Sequence, residues 1–303
     1  MKKSWSVILG TLLLGGIGYG TYTVYHWTNA PEPAVVKQKA VKVEPKKKQQ
    51  KIITPEEFWQ TSRLLPNSDI DVKTLTTTEK LAEAFEGLFL YYMPKIYVER
   101  FPDDFATEGN AELFIKVMMS LILHENNMIT KDRKFLESLN QKYYAKTPWT
   151  EEEMARFNTL KQTYGVTEEK IPETQLAELL KRVDIIPPSL VVAMAGVQTN
   201  WGKKSLQAPF GQKEWINGKY TEKQFNTLGQ AVHSFMLEMN TLPIYFDMWK
   251  HRQTYKNLRG SLGEKLIGTA DNFMRENPAY EQQIKQAFKK LNLTIFDGAV
   301  LYE

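Results

Sequence analysis

Pro187-Pro-Ser-Leu-Val-Val-Ala-Met-Ala-Gly-Val-Gln-Thr-Asn-Trp-Gly202 is the stretch on which the fold turns. From Leu190 to Val197 every side chain is apolar or absent, so a helix here has no polar face to give to water. Such a helix is stable only when covered on all sides. The two prolines set its start, since proline fits the first helical turn. The reading predicts a buried helix over 189–199, followed by a turn at Asn200-Trp201-Gly202.

A buried central helix needs elements around it, and the flanking sequence supplies them. Apolar spacing at helical period predicts helices over 81–92, 113–129, 175–183, 228–240, 244–255, 262–273 and 279–291. Thr150 with Glu153 reads as a capping box that opens another helix through Leu160. In 113–129, Leu113, Phe114, Val117, Met118, Leu121 and Ile122 share a broad face; Lys116 and the limited length make this a core helix, not a membrane span. Its His124-Glu125 pair does not extend to HExxH, so no zinc site is expected. Asn217-Gly218 between short segments is the one strong hairpin signal. The expected fold class is mainly α, of α+β type, with one small β-hairpin.

The N-terminal part reads differently. Residues 7–27 carry no formal charge, with Trp5 near one end and Tyr22, Tyr25 and Trp27 near the other. That length and those interfacial rings predict a single transmembrane helix. A cleaved signal peptide is the rival; Pro31 directly after the candidate cut at Ala30 is a poor context for it. Gly16 and Gly20 form a GxxxG pair, either a homodimer face or the ordinary glycine content of membrane helices. Residues 28–53, with Pro31, Pro33, Pro45 and many lysines, are expected as an extended tether with little to bury. Residues 1–53 hold nine Lys and two acids, leaving 30 basic and 33 acidic residues in 54–303. The net charge of +4 therefore belongs to the tether, and the rest is not a nucleic-acid binder. There are no cysteines, so neither disulfides nor thiolate metal sites arise. The domain reading is 1–6 as a cytoplasmic tip, 7–27 as anchor, 28–53 as linker, 54–145 as a helical N-terminal region and 146–303 as the main domain.

Residues 182–190 and 193–202, then Phe210-Gly211, the run 231–245 and Asn277-Pro-Ala-Tyr280, together resemble the Bax-like branch of bacterial glucosaminidase-domain proteins, placed with glycoside hydrolase family 73. Residues 113–139, with Glu125-Asn126 and Asp132-Arg133, look like the helical region preceding the domain in that branch. The resemblance runs over roughly 80–292, and several motifs in order make it specific. It implies a lysozyme-like fold and cleavage of N-acetylglucosaminyl bonds in peptidoglycan. It also implies a domain in the periplasm, single-pass on the bacterial inner membrane. The lysines on both sides of 7–27 do not settle that orientation alone.

The chemistry expected of that family needs a carboxylic acid to protonate the leaving oxygen. The family carries it as Glu in Glu-Ser-Gly-Trp-Gly; this chain has Gln198-Thr-Asn-Trp-Gly202, so an amide stands at the acid position. Gln can offer a hydrogen bond but no proton. The family's Asn-Asn-Leu-Phe-Gly is here Gln207-Ala-Pro-Phe-Gly211, and a family tyrosine aligns with Phe273. Glu214 and Glu222 are the candidates for a second acid, or solvent-facing strand residues. Substrate contacts are expected from Trp201, Phe210, Trp215, Tyr220, Tyr245 and Phe273, with Trp201 better read as a core filler and Trp215 and Tyr220 as the better glycan contacts. No metal or cofactor is expected. The implied partners are peptidoglycan glycan strands, the inner membrane, and envelope proteins or a second copy through Gly16 and Gly20. The leading expectation is a pseudoenzyme that binds peptidoglycan or scaffolds an envelope assembly. The alternatives are an active glucosaminidase and an interaction module with a vestigial cleft.

Overall fold

Local capping chemistry sets most of the helix starts. The computed structural model describes residues 75–85, 92–93, 96–167, 172–204, 206–255, 262–269 and 277–301. Thr77 accepts the Lys80 N–H and opens α1, Thr78–Ala84. After β1, Tyr92–Met93, and the single turn α2, Phe105–Glu108, the Asn110 side chain accepts the Leu113 N–H and opens α3, Ala111–Tyr144. Thr150 and Glu153 make a reciprocal capping box at α4, Glu151–Thr163. Next come α5, Pro172–Arg182, and α6, Pro188–Thr199. The hairpin is β2, Lys213–Ile216, paired antiparallel with β3, Lys219–Glu222. A second capping box, Thr227 with Gln230, opens α7, Leu228–Thr241. A 3-10 turn at Pro243–Tyr245 leads into α8, Phe246–Thr254, then α9, Leu262–Leu266, and α10, Pro278–Leu291. A second 3-10 segment, Leu293–Gly298, precedes β4, Val300–Leu301.

The mainly helical reading with one antiparallel hairpin agrees with this, and α6 and the Thr150 capping box fall where the sequence places them. At the hairpin tip Asn217 and Gly218 both take positive φ, 50° and 79°, as a type I′ turn demands. Four expectations need correction, the first being that the helix expected over 262–273 ends at Leu266, with a turn at 267–269. The helix expected over 81–92 ends at Ala84, and Tyr92 lies in β1, which pairs in parallel with β4. The helix expected over 113–129 continues to Tyr144, because Leu136 and Leu139 keep an apolar stripe buried after the all-round buried first half. The helix expected over 244–255 begins as a 3-10 turn, since Pro243 removes a backbone donor at its start. The chain divides into two units, Met1–Thr54 and Pro55–Glu303. The anchor at 7–27 and the linker at 28–53 fall in the first, outside the described residues. Among the described residues no helix is long and apolar enough to cross a membrane.

Within the second unit α6 is the centre: Leu190 to Val192, Ala193 and Ala195 are fully buried, and α3, α9, α10 and the 293–298 turn pack around it. Two polar devices fix its entry. Asn126 of α3 donates to the Ile186 carbonyl at 2.8 Å and accepts the Ile186 N–H at 3.0 Å, clamping the segment before Pro187. Asp297 accepts the N–H of Ser189 at 3.1 Å and that of Gly263 at 2.8 Å, which joins the starts of α6 and α9 through one carboxylate. A carboxylate suits helix N-termini, where unpaired N–H groups point outward.

The end of α5 is held by a buried cation. Arg252 of α8 is 1% exposed and donates to the carbonyls of Lys181, Arg182 and Asp184 and to the Asn240 side chain at 3.0, 3.0, 3.2 and 2.8 Å. Burial pulls its pKa down to about 10 against the opposing pull of Asp184, so it remains charged at neutral pH. Arg133 adds contacts to the Leu180 and Val183 carbonyls and to Asp184 at 3.0, 3.0 and 3.2 Å. A positive charge over the last carbonyls of a helix is favourable.

Candidate functional site

The site is built on how α6 stops. Asn200, Trp201 and Gly202 all have positive φ, at 50°, 58° and 88°. Such a run is strained for the two non-glycine residues, and strain of this kind is retained where the surroundings impose it. Here they do. Trp201 N–H donates to the Gly196 carbonyl at 2.6 Å, Gly202 N–H to the Thr199 hydroxyl at 3.0 Å, and Lys204 N–H to the Thr199 carbonyl at 2.8 Å. The Trp201 ring folds back onto Gly196, where any Cβ would collide with it, and meets Phe114 edge-on at 6.1 Å. Lys203 ties the turn to the Gly109 carbonyl at 2.6 Å.

This turn leaves Gln198 on the surface, at the exposed side of the last turn of α6. The chain then returns past it. Ala208 and Pro209 are buried, Phe210 stacks on Phe235 of α7 at 4.1 Å, and Gly211 reaches the Gln198 amide. A Cβ on Gly211 would lie 2.6 Å from Gln198 Nε2, which the flexible exposed Gln198 side chain can relieve by moving; the φ of +60° is what favours glycine there. The Lys223 N–H donates to the Gln212 carbonyl at 2.8 Å and closes the root of the hairpin beside the amide.

The hairpin stands away from the core, with both faces exposed. Its register pairs Trp215 with Tyr220 and Lys213 with Glu222, so strand alternation puts these four on one face. Glu214 pairs with Thr221 on the other face. Trp215 and Tyr220 are 62% and 71% exposed and meet edge-on at 4.7 Å. The two sequence-predicted carboxylates therefore lie on opposite faces of the hairpin, both exposed, with Glu222 on the aromatic side.

The remaining predicted residues separate. Trp201 and Phe210 are half-buried and packed against Phe114 and Phe235. Tyr245 is 4% exposed and sits in the core. Phe273 lies outside the described residues. No group of acids and histidines suited to a metal occurs among the described residues.

A carboxylate not singled out in the sequence lies under the hairpin root. Glu238 of α7 is half-buried, 3.7 Å from Lys223. Lys223 and Gln212 both donate to the Ser234 hydroxyl, at 2.7 and 3.1 Å. Burial pushes the Glu238 pKa up, and the contacts with Gln212 and Lys223 draw it back in part. The available signal was Ser234 and Glu238 at i and i+4 on an otherwise largely apolar helix stretch, which places both on one face. A second pair, His233 Nδ1 and Glu125 Oε1 at 2.9 Å, joins α7 to α3. The hydrogen bond to Glu125 raises the His233 pKa above its ordinary value.

No protein-family model matches the chain, and no solved structure matches it. The chain spans about half the length of the curated relative it matches. It is a distant relative of "Protein bax" of Escherichia coli (strain K12), 30% identical over 155 residues, which make up 46% of this chain and 54% of that protein.

Proposed function

We propose that this protein is a glucosaminidase-like domain, anchored by residues 7–27 at the periplasmic face of a bacterial inner membrane, that binds peptidoglycan glycan strands without cleaving them. The observation that carries this reading is the Gln198 amide, presented to solvent at the end of α6 and backed by Gly211. An acid at that place is what the resembled family uses. Loss of general-acid catalysis lowers rate by about 10²–10⁴. An amide keeps the shape and donor of a neutral acid, so sugar contacts survive the exchange. The exposed Trp215–Tyr220 pair, one ladder position from the hairpin tip, offers flat apolar faces of the kind on which sugar rings stack.

The test pairs retention on insoluble peptidoglycan with zymography on purified cell wall. The expected result is retention of the full chain, no release of reducing ends, and retention lowered by about ten-fold in a Trp215→Ala, Tyr220→Ala double variant. Robust hydrolysis by the wild type removes the non-cleaving reading. Absence of retention in wild type and variant alike removes the glycan-binding one. A periplasm-only reporter fused after Glu303 is expected to be active; activity only from a cytoplasmic reporter removes the topology.

One observation favours a second reading, that of an active glycosidase. Glu238 is a half-buried carboxylate whose pKa is raised, near the hairpin root beside Gln198. Burial of this kind is how a carboxylic acid is kept protonated for donation. If wild-type zymography shows a band, Glu238→Gln is expected to abolish it.

A further inference from the structure

The turn between α7 and α8 displays apolar side chains that the core does not use. Leu242, Ile244 and Phe246 are 40, 40 and 56% exposed, and Ile185 of the segment before α6 is 39% exposed. The contacts beneath bring the two stretches together. Arg182 donates to the Thr241 carbonyl at 3.5 Å, Asn240 to the Asp184 carbonyl at 3.1 Å, and Arg252 to the Ile185 carbonyl at 3.4 Å. The turn itself is held firmly. Tyr245 and Trp249 are buried, Trp249 Nε1 donates to the Met239 carbonyl at 2.7 Å, and the Arg182 guanidinium lies 5.0 Å over the Trp249 ring. Phe246 meets that ring edge-on at 6.1 Å. A fixed 3-10 turn opened by Pro243 thus presents the apolar groups, and engaging them costs little further ordering. A clustered apolar patch on an otherwise polar surface marks a contact site.

We propose that this turn docks on the surface of an anionic phospholipid bilayer, with Leu242, Ile244 and Phe246 at the boundary between head groups and acyl chains. The inference rests on the anchor reading of residues 7–27 given above. Charge favours lipid as the occupant. Lys250 is exposed and lies four residues after Phe246, on the same side of α8, so its ammonium reaches head groups while the ring enters the boundary. Lys181 is exposed at the end of α5, beside the Arg182 that holds the turn. The nearby acids are recessed: Glu178 is held by Arg182 and Lys181 at 3.1 and 3.4 Å, Asp184 is buried against Arg133, and Asp247 is half-buried. Reach favours lipid too. The 47 residues from 28 to 74 span at most about 170 Å even if fully extended, so an anchored domain stays close to lipid and a weak contact is enough. Docking here has a consequence for the site. The turn is tied to the segment that enters α6, and Gln198 stands about 15 Å farther along that helix. Docking through the turn therefore holds the Gln198 end away from the bilayer.

The chain has no cysteine, so Ile244→Cys gives a single site for a nitroxide label, with Lys219→Cys on the hairpin as the comparison. The full chain is reconstituted into vesicles of phosphatidylethanolamine and phosphatidylglycerol. Accessibility of each label to a nickel chelate, present on both faces, is read by electron paramagnetic resonance. The label at position 244 is expected to be about five-fold less accessible than the one at 219, since an apolar face at the boundary lies about 5–10 Å deep. Adding Leu242→Ser and Phe246→Ser is expected to make the two equally accessible, with unchanged circular dichroism melting as the folding control. Vesicles of phosphatidylcholine alone are expected to lower the docked fraction, by about five-fold in equilibrium constant for each lysine engaged. Carbonate extraction of the same vesicles separates the docking from the anchor. Chain that resists carbonate yet leaves the label at 244 open to the chelate overturns the docking and spares the anchor. Chain stripped by carbonate removes the anchor, and the docking falls with it. Spin–spin broadening at 244 shows a second copy on this face, and protection only in native envelope membranes shows a protein partner; either overturns the proposal.

Discussion

Gln198→Glu tests the site most directly, because the structure sets how much activity it can restore. Gln198 is exposed at the end of α6, with Gly211 on one side. A glutamate there meets water and titrates near about 4.3. At pH 7 about one molecule in 500 then holds the proton, against about one in 11 for an acid kept near pKa 6 by burial. The deficit is about 50-fold, set against the ~10²–10⁴ that a matched general acid contributes. The net gain at pH 7 is about 2- to 200-fold over a background expected to be undetectable. At pH 5 about one molecule in six is protonated, so the same variant is expected to cut about 80-fold faster than at pH 7. The assay is reducing-end release from purified peptidoglycan at both pH values, with wild type beside the variant. Turnover by wild type at either pH refutes the pseudoenzyme argument. A variant rate that is flat between pH 5 and 7 refutes the argument from exposure.

Three further outcomes follow from the packing. Gly196→Ala is expected to lower thermal stability by several degrees despite alanine's better helix propensity, because its Cβ meets the rigid Trp201 ring; an unchanged melting temperature shows that the ring does not pack there. Arg252→Met strips the last α5 carbonyls and Asp184 of a buried cation, and is expected to destabilise by about 3–5 kcal/mol, roughly 10 °C in Tm. Arg252→Lys, with one donor head in place of a fork, is expected to recover only a minor part, and full recovery contradicts this account. The His233–Glu125 pair contributes most below the unfolded imidazole pKa of 6.5 and loses its contribution as pH rises through the raised folded value. With the imidazole 58% exposed that contribution is small, so the check is an NMR titration in which Glu125→Gln is expected to bring the His233 pKa down; no change refutes the pairing.

The elements readable in the sequence are those decided within a few residues of chain. Thr150 and Glu153 cap their own helix, and Asn217-Gly218 bends its own hairpin, because the groups involved are covalent neighbours. The burial of α6 was legible for a related reason: a run without any polar face can be stable in one kind of place only. Gln198 at the end of that run was legible as a departure in a motif, but its exposure was not. Exposure depends on three successive positive-φ residues and on Gly211 returning from farther along the chain. The pairing of Tyr92–Met93 with Val300–Leu301 has no local signature, since two-residue strands carry no readable period. Nothing local marks Arg252 for burial, which comes from α5 and the 184–186 segment closing over it. Glu125 and His233, 108 residues apart, become a pair only when α3 and α7 pack. Sequence alone determined most of the helical segments and which one must be buried, and through the resemblance it marked Gln198 as the residue standing where an acid is expected. Tertiary structure decided which polar side chains meet and which face water, because hydrogen bonds and burial are set by neighbours that the chain brings together from far apart.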